Sequence, residues 1–195
     1  MIETISVISG SGWASGLNLY LTALMLGIAG RAGWADIPDV LTRTDVMIVA
    51  GVLFGVEFVA DKVPFLDSFW DAIHTFIRPL GAAAIGAVIA GDSGSIGAAL
   101  GGILSGALAL DAHSAKASTR VMVNASPEPV SNAAVSLFED VGVAGLVTLA
   151  VTFPIITIVV VIVLVIAATA VTIWMWKAVR RVWGRVKAKF PGLEF

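Results

Sequence analysis

The 195-residue chain contains no cysteine, which excludes a disulfide framework, a thiolate metal site and a cysteine nucleophile. Histidine is nearly as scarce. His74 and His113 are the only two, and neither lies in an HExxH or other close metal-hydrolase spacing. A GxSxG elbow and a phosphate-binding loop are missing as well. Arg78-Pro79 is faintly similar to a lipid-phosphatase signature, but without the histidine-bearing partners that chemistry needs. No enzymatic activity is therefore expected.

Charge is the next shortage. Only 13% of residues are Asp, Glu, Lys or Arg, about half the roughly 25% usual in soluble domains. Apolar residues make up 58%, and mean hydropathy is +0.96. Disorder needs the opposite composition, and a water-soluble globule needs a more polar surface. The composition leaves a small polytopic membrane protein whose length suits one or two units.

The few charges are unevenly spread. Residues 177–195 hold Lys177, Arg180, Arg181, Arg185, Lys187 and Lys189 against Glu194 alone. A basic run directly after an apolar span marks a cytoplasmic flank, and Trp174 and Trp176 precede it at the expected headgroup level. Residues 177–195 therefore read as a basic cytoplasmic tail on a single transmembrane helical domain, residues 1–176. The tail suits attraction to anionic lipid rather than nucleic acid. No basic residue precedes Arg31, so a cleaved signal peptide is not expected.

Six apolar segments stand out, at 13–30, 46–61, 79–91, 95–110, 133–153 and 155–176. Residues 141–176 carry no charge at all, and Pro154 is the natural break between the last two spans. Residues 79–91 would reach only about 20 Å as a helix. They either extend back through 69–78 or form a re-entrant hairpin with 95–110, turning at Gly91-Asp92-Ser93-Gly94. Six spans with the tail inside place both termini in the cytoplasm. Lys62, Arg78, Lys116 and Arg120 then join the tail on the inner side, leaving Arg31 and Arg43 outside, as the positive-inside rule asks. A bacterial inner (plasma) membrane is the expected location. The expected fold is an all-α polytopic bundle of about six spans plus a cytoplasmic-side amphipathic helix.

Glycines recur at four-residue spacing in Gly12/Gly16, Gly51/Gly55, Gly97/Gly101 and Gly102/Gly106. That spacing suits close helix approach, more commonly within one bundle than at a homo-oligomer seam. Polar residues inside spans are more informative. Asn18 and Tyr20 open the first span, Glu57 and Asp61 share a face of the second, and Glu139 and Asp140 lie two turns into the fifth. Ionisable groups in a bilayer are expensive and face a wet cavity, a partner or a transported species. Their common depth predicts a polar vestibule open to the cytoplasm.

Two further segments could roof it. Asp67, Asp71, His74 and Arg78 recur at 4, 3 and 4, opposite Phe69, Trp70, Ile73, Phe76 and Ile77, which reads as an interfacial amphipathic helix. Residues 111–132 carry His113, Lys116, Arg120, Asn124 and Asn132, with Ser126-Pro-Glu-Pro129 as a breaker. Asp71-Ala-Ile-His74…Arg78 and Asp111-Ala-His113…Arg120 share a loose pattern that hints at an internal repeat.

Several strings carry a resemblance. Gly16-Leu-Asn-Leu-Tyr-Leu-Thr22, Glu57-Phe-Val-Ala-Asp-Lys-Val-Pro64, Asp67-Ser-Phe-Trp-Asp71, His74-Thr-Phe-Ile-Arg-Pro79 and Ser126-Pro-Glu-Pro-Val-Ser-Asn132 are similar to a membrane family catalogued as domain of unknown function 4126. The resemblance covers residues 10–154 and implies an integral membrane protein without an assigned activity. Glu57-Phe-Val-Ala-Asp-Lys62 is also loosely similar to the Glu-x-Gly-Asp-Lys element of manganese/calcium cation exchangers, one residue longer and without the glycine.

Two candidate sites follow. Asn18, Glu57, Asp61, Glu139 and Asp140 offer hard oxygen donors for a proton or cation, the site of an ion- or proton-coupled transporter or channel. Asp71, His74, Arg78, Lys116, Arg120 and Asn132 offer a headgroup or substrate site, in which the cations would hold a lipid or polyprenyl phosphate. A membrane assembly partner without transport activity is the third reading. No cofactor is expected beyond a bound cation. The bilayer, a small ion or lipid substrate and a second copy of the chain are the expected partners.

Overall fold

The computed structural model describes residues 1–63, 66–124 and 129–189, and no strand occurs among them. The chain is an all-α membrane helix bundle. Its helices are α1 (Ile2–Leu17), α2 (Leu19–Arg31), α3 (Asp39–Thr42), α4 (Thr44–Ala60), α5 (Leu66–Ile89), α6 (Gly94–Asn124), α7 (Pro129–Thr152) and α8 (Pro154–Lys189). Four of them, α5 to α8, are long and apolar enough to cross a membrane.

The apolar segment 13–30 is not one span. Asn18 breaks it, with extended backbone at φ −150° and ψ 101°, and its side-chain oxygen accepts from Leu21 N–H at 2.9 Å as the cap of α2. Asparagine is among the strongest residues at that position. The break reverses the chain. Glu3 and Thr4 from the start of α1 line one cavity together with Trp34 and Asp36 from beyond α2, while Asn18 lies far inside the bundle. Helices α1 and α2, of 16 and 13 residues, reach only about 24 and 20 Å. They enter and leave at the same end.

Residues 79–89 follow one of the two expected courses and extend back through 69–78. They form one continuous helix, α5, with Pro79 inside it. Proline is tolerated in membrane helices where neighbours shield the freed carbonyl. A short 3-10 turn at Gly91–Ser93, followed by Gly94 at φ +79°, reverses the chain into α6. That left-handed conformation is one glycine adopts without steric strain. Helix α6 absorbs both 95–110 and the polar stretch to Asn124. Of the proposed breaker, Ser126, Pro127 and Glu128 lie outside the described residues, and Pro129 opens α7. The expected break at Pro154 is present, with Phe153 between α7 and α8.

The ends of the bundle follow from these reversals. The cavity that holds Glu3 also holds Asp92, Ser93 and Pro154, so one end gathers the start of α1, the α5–α6 turn and the α7–α8 junction. Helix α8 then runs the other way, past a Thr169–Asp111 contact, and continues through Lys177 to Lys189. The start of α1 and the Lys177–Arg185 stretch of α8 therefore lie at opposite ends of the bundle. The six-span count took Arg78, Lys116 and Arg120 as loop charges, but all three are buried.

Helix α1 is the core. Every residue from Ser6 to Gly16 is buried, and the run is rich in serine, glycine and alanine. A Cβ on Gly12 would meet Ser105 of α6 at 2.8 Å, and one on Gly10 would meet Ala150 of α7 at 2.6 Å. Small residues let the surrounding helices close on α1 from all sides.

Candidate functional site

The first half of α5 is turned inside out relative to a helix on water. Asp71 and Arg78 are 4% and 0% exposed, whereas Phe69 and Phe76 are 64% and 73% exposed. The 4-3-4 face expected to be solvated at the interface is instead the inner face, and the aromatic face points outward. This is the arrangement hydrocarbon favours, because charged groups there must find protein partners. The facing strip of α6 has the matching spacing, with His113, Lys116 and Arg120 buried at 3 and 4. The Asp71 and Asp111 patterns are not equivalent halves of a repeat: they sit on two arms of one hairpin, and Asp111 points elsewhere, toward Trp13 and Thr169.

Three cations organise the interior. Arg78 lies 2.5 Å from Glu57 Oε1 and 2.9 Å from Asp71 Oδ1, and donates to His113 Nδ1 at 2.8 Å. Lys116 lies 2.5 Å from Asp61 and 3.4 Å from Glu139, with Asp71 at 3.9 Å. Arg120 lies 2.7 Å from Glu139, 3.6 Å from Asp61 and 3.9 Å from Asp67, and donates to Asn132 Oδ1 at 2.5 Å. The two candidate sets separated in the sequence thus form one layer. Asn18 joins it by donating to Asp140 at 3.1 Å, and Lys62 approaches Asp140 at 3.9 Å. Lys62 sits in the α4–α5 turn, where burial, the larger influence, pulls its ammonium below the usual value against the pull of Asp140 and Asp61.

The broken helix ends inside this layer. Arg78 donates to the carbonyl of Gly16 at 3.4 Å and Lys116 to that of Leu17 at 3.0 Å. These are free carbonyls at the C-terminus of α1, the negative end of its dipole. The N-terminus of α2, the positive end, is capped by Asn18, which binds the Asp140 carboxylate. Both helix ends therefore meet charges of opposite sign to their own.

Each histidine has an assignable tautomer. Arg78 can only donate, so His113 Nδ1 accepts. His113 Nε2–H then donates to Thr75 Oγ1 at 3.0 Å, whose own hydrogen goes to the Asp71 carbonyl. His74 Nδ1–H donates to the Trp70 carbonyl at 2.9 Å, leaving Nε2 to accept from the Tyr20 hydroxyl at 3.0 Å. The His113 ring is neutral in these bonds and would lose its Arg78 contact if Nδ1 were protonated.

The layer is not electrically balanced. Among the described residues, Glu57, Asp61, Asp67, Asp71, Glu139 and Asp140 face Lys62, Arg78, Lys116 and Arg120, six carboxylates to four cations. Glu57 Oε2, Asp61 Oδ1, Asp71 Oδ2 and Asp140 Oδ2 are buried without a hydrogen-bond partner among the described residues. Among the described residues no three Asp, Glu or His groups converge as metal ligands; Lys116 occupies the centre between Asp61, Asp71 and Glu139. Asp67, Lys62, Tyr20, Thr75 and His113 belong to the layer although they were outside the candidate sets. The equal 3-and-4 spacing of 71/74/78 and 113/116/120 is the signal that pairs His113 with the α5 face.

No curated protein and no solved structure matches the chain. A family model matches residues 5–176, which include every residue of the charge layer. The chain belongs to the family described as Domain of unknown function (DUF4126).

Proposed function

We propose that the protein is a small proton-coupled membrane transporter, not an enzyme, with the buried charge layer as its coupling site. One observation carries the reading: a helix broken in mid-bundle delivers both its ends to a largely buried layer that, among the described residues, has two more carboxylates than cations. Discontinuous helices whose termini and free carbonyls face a central site are a recurring device of transporters. Buried ion pairs are weak sources of stability compared with apolar packing, so a layer this large is poorly explained as structural glue. Uncompensated buried carboxylates are costly, and taking up protons on the unpartnered oxygens would remove the excess charge.

Protons suit the layer better than a resident hard cation, because Lys116 and Arg120 already fill the space among the carboxylates. A phosphate headgroup is less well supported still. Arg78, Lys116 and Arg120 are enclosed and paired. A plasma-membrane location with the basic end of α8 in the cytoplasm completes the reading and places the start of α1 on the far side.

Proteoliposomes with an entrapped pH dye test it. The wild type is expected to dissipate an imposed pH gradient faster than protein-free liposomes. Glu57→Gln and Glu139→Gln are expected to fall to the protein-free rate. Equal rates in all three proteins would overturn the proposal.

A further inference from the structure

Among the described residues, Asp111 is a half-buried carboxylate that the charge layer does not use. It sits on the outer flank of α6, facing α8, and accepts from the Thr169 hydroxyl at 2.8 Å and from the Trp13 indole N–H at 3.3 Å. Both donors are neutral, and Asp111 forms no ion pair among the described residues. It opens onto a groove of about 290 Å³ between α6 and α8. Leu110 and Ile173 form apolar walls, and Ser114 and Thr172 supply hydroxyls. The Thr172 hydroxyl is buried with no partner among the described residues.

The depth of this groove matters. Thr169 lies fifteen residues into α8, about 22 Å from Pro154, and seven residues, about 10 Å, short of Trp176. The flanking surface is apolar and exposed, with Ile103 on α6 and Ile166 on α8 at 69% and 65%. A carboxylate is thus presented toward hydrocarbon, below the headgroup level, with neutral donors alone. An ionised Asp in that position is costly unless a cation meets it.

We propose that the α6–α8 groove is a binding site for a lipophilic organic cation, an ammonium with an apolar body, which enters from the bilayer and pairs with Asp111. Charge complementarity selects the sign, the apolar walls select the body, and the volume is near the lower limit of small-molecule pockets. An aminophospholipid would hold its ammonium near the level of Trp176, about 10 Å too shallow, which favours a free amphiphilic cation. The site is separate from the charge layer and does not depend on the transport reading.

Calorimetric titration of tetrabutylammonium into the detergent-solubilised full-length protein tests this. The wild type is expected to bind saturably at one site. Asp111→Asn keeps an acceptor oxygen for the Trp13 indole and can donate its amide N–H to the Thr169 hydroxyl, and is expected to weaken binding by about tenfold or more with an unchanged elution profile. Leu110→Trp, which fills the groove and leaves the carboxylate, is expected to abolish binding. Unaltered affinity in either variant, or no saturable binding to the wild type, would overturn the proposal. Displacement of the probe by phosphatidylethanolamine as readily as by unlabelled tetrabutylammonium would overturn the choice of ligand.

Discussion

Arg78→Met is expected to destabilise the protein by about 3–5 kcal/mol, the range for removing one partner from a buried ion pair. Arg78 is fully enclosed and serves four groups at once: Glu57, Asp71, His113 and the Gly16 carbonyl. Methionine fills much of the volume but leaves two carboxylates without their nearest cation. The stability lost is thus mainly the penalty of stranded charge rather than lost packing. A double-mutant cycle separates these contributions. Adding Glu57→Leu to Arg78→Met removes one of the stranded charges and is expected to recover about 1–3 kcal/mol. Midpoints of thermal unfolding in detergent supply the readout. Additive effects of the two substitutions would show that the pair does not interact.

Gly16→Ala is the second large effect. A Cβ at Gly16 would collide with the carbonyl oxygen of Ala109 and lie 2.7 Å from the Cβ of Ala112. The first obstacle is α6 backbone, which cannot rotate away. The added methyl must push the end of α1 off α6, at the roughly 1–3 kcal/mol typical of overpacking or more. The same displacement draws the Gly16 and Leu17 carbonyls away from Arg78 and Lys116, so proton flux is expected to fall with stability. Gly142→Ala is the control. Nothing lies within 4 Å of a Cβ there, and alanine in an exposed helix interior should be neutral or stabilising by about 0.5–1 kcal/mol. A Gly16→Ala protein that melts with the wild type would contradict the close approach of α1 and α6.

Much of this architecture was legible in the sequence, and the failures share one physical cause. Composition identified a membrane bundle, and the period of Asp67, Asp71, His74 and Arg78 identified one helical face. What the period could not supply was the direction of that face. Against water the charged side turns outward; against hydrocarbon it turns inward, toward Glu57, Lys116 and Arg120. Once these charges are interior, they cannot report which side of the membrane a loop occupies, and the span count loses that support. Asn18 is the other instructive residue. It was visible as a polar group in an apolar run, but it also matches the residue preference of a helix cap. Reading it so would have divided the first span and revealed that α1 and α2 return to the same end. The pairing of acidic and basic candidates into one layer was not legible, because it depends on the hairpin that brings α5 against α6.

The imbalance of six carboxylates against four cations is the foundation of the proposed coupling site, and infrared spectroscopy of the purified protein at neutral pH tests it most directly. A protonated carboxyl group has a carbonyl stretch that an ionised one lacks. The expected result is such a band in the wild type, smaller in Glu57→Gln. A spectrum without the band would mean that every carboxylate in the layer is ionised, and would contradict a proton-holding site.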